Sequence, residues 1–163
     1  MSKDEQQRIV EKWHSMVVNY NDDDNNTKNN DTASTAYMED RRWQVFVAAR
    51  LHARCQEGPV RRALQKLHEH FLTNHGCTTL SVNAMATVDP LDWMDVISNL
   101  QYYRTKAHHL QQAAKQISQT FHGQVPETKA DLQSLMGIGP VLANLLAFVN
   151  TRGIHQERDP DLK

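Results

Sequence analysis

The sequence has little that bends or crosslinks a chain: six glycines, five prolines and two cysteines in 163 residues. So few turn formers exclude collagen-like and Pro/Gly-rich disordered chains and favour helices over a many-turned β protein. The two thiols, Cys55 and Cys77, lie 22 positions apart with no C-x-x-C spacing. Alone they can build neither a zinc site nor a cysteine-ligated iron–sulfur cluster, and they read as free thiols of a reducing compartment. No window approaches the roughly 20 apolar residues of a membrane span, so no membrane partner is expected. The opening MSKDEQQ has no apolar core for a secretory signal, and its early acids argue against a transit peptide. An intracellular protein is expected, with nucleus and mitochondrion both open. There is no P-loop, G-x-S-x-G, H-E-x-x-H or kinase motif set.

What is present is uneven charge over a helical pattern. Residues 1–40 hold four basic against nine acidic residues, a net of −5. Residues 41–152 hold twelve against seven, a net of +5. A basic body behind an acidic leader suits a polyanion partner without requiring one. Ser2 and Glu5 form a capping-box pattern, and Ile9, Val10, Trp13, Met16, Val17 and Tyr20 follow at helical spacing, which predicts a leading helix over 3–20. Residues 21–36 are Asn/Asp-rich and predict a flexible loop. From Met38 the pattern returns in a helix ending near Glu57–Gly58. A second helix follows behind Pro59, and a short one covers 83–87. The Asp89–Pro90 start leads a helix through Leu100, and a long helix spans 102–121. Two short helices then flank Gly137-Ile138-Gly139, and a polar tail occupies 151–163. About eight helices and no strand are expected. Trp13, Trp43 and Trp93 read as core.

Other clusters read as bland. On one helix His68 and His70 point about 200° apart and cannot share an ion, and His108–His109 are similarly splayed, so these histidines read as solvated and no metal site is expected. Arg41, Arg42, Arg50, Arg54, Arg61, Arg62 and Lys66 concentrate positive charge on two consecutive helices, a plausible phosphate-tracking face.

The sharpest feature is Leu135-Met136-Gly137-Ile138-Gly139-Pro140-Val141-Leu142-Ala143. A short helix, an L-x-G-x-G turn and a second helix opened by proline form a helix-hairpin-helix. Glycine leaves the backbone bare, and turn amides beside a helix N-terminus suit a phosphate. With Tyr103-Arg104-Thr105-Lys106-Ala107, Leu110, Phe121-His122-Gly123-Gln124-Val125-Pro126 and Leu132, this order resembles the endonuclease III family of base-excision DNA glycosylases. The resemblance is strong over residues 99–149 and extends more weakly to residue 38. It implies an all-α, six-helix barrel domain over 37–150, with the hairpin at 128–149 and residues 3–20 as its leading helix. It also implies nucleic-acid binding by Gly137, Ile138, Gly139, Pro140, Val141 and Arg54.

The same resemblance marks what is missing. The position of the family's nucleophilic lysine is Val141, which has no amine for a Schiff base. The family's aspartate has no counterpart, since Asp159 has the wrong neighbours. The second domain and its four-cysteine cluster motif are not found, so no cofactor is expected in this chain. The family's gap-filling glutamine aligns with Arg54, two residues before Gln56, and Gln101 stands where the family usually has glycine. With one wall of the cleft absent, the apolar face of residues 3–20 suggests a protein partner or a larger assembly. The reading is a nucleic-acid-binding, catalytically incomplete relative. The alternatives are an active DNA glycosylase and a structural, non-catalytic relative in an assembly such as an organellar ribosome.

Overall fold

The computed structural model describes residues 2–17, 31–77 and 79–148, with the backbone alone for 31–38 and Phe148. Among these the regular elements are all helical. They are α1 (Lys3–Met16), α2 (Asp31–His52), α3 (Glu57–Asn74), α4 (Val82–Thr87), α5 (Tyr103–Thr120), α6 (Lys129–Gln133) and α7 (Pro140–Phe148). Two 3-10 turns, Pro90–Asp92 and Met94–Ile97, lie between α4 and α5. No helix among the described residues is long and apolar enough to cross a membrane.

Local chemistry sets the ends. The Glu5 amide donates to Ser2 Oγ at 3.1 Å and the Ser2 amide to Glu5 Oε1 at 3.0 Å, so the capping box forms. Ser81, Asp89 and Thr128 cap α4, the first 3-10 turn and α6 through side-chain oxygens. At the end of α5 the amides of Phe121 and Gly123 both donate to the Ile117 carbonyl, with Gly123 at φ 81°.

Four sequence expectations change. Helix α1 ends at Met16, with Val17 extended at φ −72° and ψ 131°, where a helix to residue 20 was expected; residues 18–20 lie outside the described residues. Helix α2 begins at Asp31, so residues 31–36 are helical where a loop was expected. No glycine or proline stands between Asp31 and the packed part of α2, so nothing stops the helix from running back. Residues 21–30 and the tail 151–163 lie outside the described residues. At its other end α2 stops at His52 rather than near Gly58. The stretch 91–100 is two 3-10 turns instead of a helix, because Trp93 breaks at φ −135° and drives its indole fully into the core.

Helix α2 is the central element. Trp43 and residues 45–49 are at most 1% exposed, so the helix is enclosed all round. Trp43 stacks on Phe46 with ring centres 5.1 Å apart. Around it stand α1, α3 and α5, while α4 lies on α5 and α6 on α7. All three tryptophans are core. The apolar face of α1 is covered within this chain: Val10, Trp13, Met16 and Val17 are buried, and α1 meets α2, α3 and α7. The argument for a partner from that face therefore falls.

The basic cluster is mostly scaffolding. Arg61 donates to the Ser15 carbonyl at 2.8 Å and Arg41 to the His14 carbonyl at 3.4 Å, both at the C-terminal end of α1. Arg42 pairs with Glu39 and Glu127. Arg50 donates to His109 Nδ1 at 2.8 Å. Arg54, Arg61, Arg62 and Lys66 stay exposed, Arg61 while bonded to the end of α1.

His68 is also not solvated. It is 3% exposed, and burial lowers its pKa to about 4. The unfolded chain takes up this proton first as pH falls through about 6.5, so the neutral-pH stability tied to His68 is lost between there and pH 4. Asp40, raised by burial and by Glu39 to about 6, acts in the opposite sense. In a comparison of wild type with His68→Leu the Asp40 contribution cancels. Urea unfolding at pH 7 and pH 5 should show the variant losing about 2 kcal/mol less than wild type.

Candidate nucleic-acid interface

The hairpin is made from the core outward. Leu132, Leu135 and Ile138 are buried, and they pull the chain between α6 and α7 down against the domain. Helix α6 closes with the Ser134 amide and hydroxyl both turned onto α6 carbonyls. Gln116 on α5 then grips the turn from both sides. Its Nε2 donates to the Ser134 carbonyl at 3.3 Å, and its Oε1 accepts from the Met136 amide at 2.8 Å. The Ile138 amide donates to the Leu135 carbonyl at 3.2 Å.

The two glycines of the turn have different jobs. Gly137 lies at φ 84°, and a Cβ there would stand 2.8 Å from both Arg50 Nε and His109 Nδ1. The turn is seated directly on the Arg50–His109 pair. His109 is half-buried, and burial and Arg50 both lower its pKa, so the neutral ring that accepts from Arg50 is favoured. Gly139 has ordinary φ, and a Cβ on it would meet nothing within 4 Å. Pro140 opens α7, and the Ala143 amide donates to the Gly139 carbonyl at 2.9 Å.

Of the residues expected to bind, the structure sets Gly139, Pro140 and Val141 at an open surface and Ile138 beneath it. Val141 is 64% exposed. The amides of Gly137, Gly139, Val141 and Leu142 donate to no acceptor among the described residues. Ile138 is 6% exposed with its amide taken, so it anchors the turn and offers a ligand nothing. The Met136 and Ile138 amides are turned inward, to Gln116 and Leu135, so they are not among the amides open to a ligand.

Arg54 lies elsewhere, in the connection from α2 to α3, exposed and at φ 61°. That connection is held by Lys106, on the first turn of α5. Its ammonium donates to the carbonyls of Leu51 at 3.1 Å and Ala53 at 2.7 Å and lies 3.2 Å from Cys55 Sγ. Lys106 is 2% exposed, and burial lowers its pKa. It stands where the dipole of α2 is negative, which offsets part of its desolvation. No contact joins Arg54 to the hairpin among the described residues, but α5 carries the residues that hold both. From Lys106 to Gln116 the helix rises roughly 15 Å.

Sequence reasoning missed three groups. Tyr102, the residue before α5, is 56% exposed and holds φ 62°, so an aromatic ring stands at the same end of α5 as the Arg54 turn. Lys129, Gln6 and Asn144 line a groove with Pro140, Val141 and Leu145. An amine therefore stands in the groove beside Val141. The Arg50–His109 seat is the third group, joined across 59 positions. Among the described residues no three His, Cys, Asp or Glu side chains converge.

No family model matches the chain. Curated relatives do. Endonuclease III homolog 2, chloroplastic, of Arabidopsis thaliana is 27% identical over 118 residues, which is 72% of this chain and 29% of that protein. Endonuclease III of Synechocystis sp. is 27% identical over 103 residues, 63% of this chain and 43% of that one. Among solved structures, a non-covalent endonuclease III–DNA complex superposes with a TM-score of 0.59 at 17% identity, covering 94% of this chain and 61% of the other. A trapped endonuclease III–DNA covalent intermediate gives 0.58 over 91% and 60%. The fold is endonuclease III-like and all-helical. The chain spans less than half the length of these curated relatives and about three fifths of the solved ones.

The glycine asymmetry gives a direct test. Gly137→Ala should destabilise the fold by about 2 kcal/mol or more, since it meets both a left-handed backbone and two fixed side chains. Gly139→Ala should cost under about 1 kcal/mol, the ordinary penalty at a helix N-cap. Urea midpoints of the two variants check this. Lys106→Met should cost about 2–3 kcal/mol by stranding the carbonyls that end α2, read in the same way.

Proposed function

We propose that this chain binds the phosphate backbone of a nucleic acid, DNA in the first instance, through its hairpin. The observation that carries the reading is the uncovered surface at Gly139–Pro140–Val141, where free amides meet the start of α7. Amides so placed accept an anion by geometry and by the helix dipole. In this reading α6, the turn and α7 form a helix-hairpin-helix, and Arg54 on its separate turn adds a second phosphate contact. Support comes from two solved structures of like fold, both of endonuclease III with DNA.

The reading also takes the chain as catalytically incomplete in this form. Val141 offers no amine, so the family's covalent lyase step has no starting point at this position, and the amine nearby belongs to Lys129 on α6, across the groove. Glycosidic cleavage without strand scission is the second reading, favoured by the DNA glycosylase likeness of the fold.

Gly139→Val separates fold from contact, because the space above Gly139 is open. The variant should keep its helical signal and urea midpoint within about 1 kcal/mol and lose about tenfold or more in affinity for duplex DNA. Unchanged affinity would sink the hairpin reading. Wild-type affinity should also fall steeply as salt rises from about 50 to 200 mM. On a duplex with one oxidised pyrimidine, borohydride should trap no adduct. Alkali-revealed cleavage would select the second reading.

A further inference from the structure

We propose that His70 and His75 form a two-histidine site for a borderline divalent cation such as Zn²⁺. His68 turns into the core, while His70 and His75 meet at the end of α3. Their Nε2 atoms stand 3.3 Å apart and their ring centres 5.1 Å apart, with the rings inclined at 63°.

These distances carry the argument. Two imidazole nitrogens each about 2.05 Å from one tetrahedral ion are roughly 3.3 Å apart, with ring centres roughly 5.2 Å apart. A straight N–H···N hydrogen bond of the same length would hold the centres about 5.6 Å apart. The observed pair is bent inward, as two lone pairs converging on one point require.

The rings are held in place before any ion arrives. The His75 amide donates to the Phe71 carbonyl at 3.2 Å, and the Cys77 amide donates to the same oxygen at 3.3 Å. Gly76 between them takes φ 66° and turns the chain back. The His75 ring lies 5.2 Å from the Phe71 ring. The Asn74 side-chain amide is 2.8 Å from His70 Nδ1. The atom there is Nδ2; a half-turn of the amide puts Oδ1 in its place, where it accepts the Nδ1 proton and leaves the Nε2 lone pair for the metal, the usual support of a histidine ligand. Glu69 and Asp95 line the groove with His70, against Lys66, so the surroundings favour a cation. Water or a donor from another molecule would complete the ion's shell. The bound ion would tie the last turn of α3 to the loop that follows it.

The test uses the whole chain and Zn²⁺ alone. Long-range proton–nitrogen spectra of the imidazoles are followed as Zn²⁺ is added. The Nε2 signals of His70 and His75 should move together and saturate near about one equivalent, and the unfolding midpoint should rise with free Zn²⁺. His75→Gln should weaken the response of His70 by about tenfold or more, while His108→Gln leaves it intact. If Zn²⁺ leaves the His70 and His75 signals in place, or shifts other histidines first, the site does not exist. The wild-type spectra decide this even if His75→Gln fails to fold.

Discussion

One buried ammonium organises the junction of α2 and α5. Lys106 has almost no contact with solvent, and its protons go to the carbonyls that finish α2. A helix end enclosed by other elements must find partners for its last carbonyls. Here they come from a different helix, so ending α2 and docking α5 are one event. The same bonds let the chain leave α2 at Arg54 with a left-handed backbone and enter α3 three residues later. That turn's shape is imposed by the charge beneath it, because arginine has no intrinsic preference for such a φ.

Helix α5 repeats this logic along its length. Lys106, His109, Gln111 and Gln116 all point polar groups into the domain, to the end of α2, the Arg50 guanidinium, the Val88 carbonyl and the hairpin turn. An apolar helix in this place would pack, yet would leave four sets of main-chain or guanidinium groups without partners. The polar residues thus select one arrangement of neighbours, while the apolar residues between them, Ala107, Leu110, Ala114 and Ile117, supply the burial.

What the sequence made legible follows from range. Caps act over three residues, so Ser2 with Glu5 and Asp89 with Pro90 could be read directly and form as read. Apolar periodicity found the long helices and placed the tryptophans in the core. The N-terminal limit of α2 was missed because propensity, without a breaker, does not say where a packed helix stops. The 91–100 stretch was missed because burying Trp93 outweighed helical continuity. The Lys106 cap and the Arg50–His109 seat join residues more than fifty positions apart, and no local pattern encodes such a pairing. Those long-range pairs also explain why the arginine-rich helices looked like a binding face. Arg41, Arg42, Arg50 and Arg61 are spent on internal contacts, and the charge left for a partner is smaller than the count suggested.

The hairpin separates what the fold requires from what chemistry would require. Gly137 and Ile138 are fixed from inside, by the close seat on Arg50 and His109 and by burial. Gly139 and Val141 are not, since the space above one is empty and the other's side chain is mostly in solvent. A change at position 141 therefore leaves the turn standing whatever residue is there. The hairpin keeps its shape with or without a reactive side chain, and so that shape speaks for the fold alone. Function has to be read from the outward atoms. Here those atoms are main-chain amides at a helix start, an isopropyl group, and the Lys129 amine across a shallow groove. That set is equipped to hold an anion. At its centre Val141 presents a hydrocarbon.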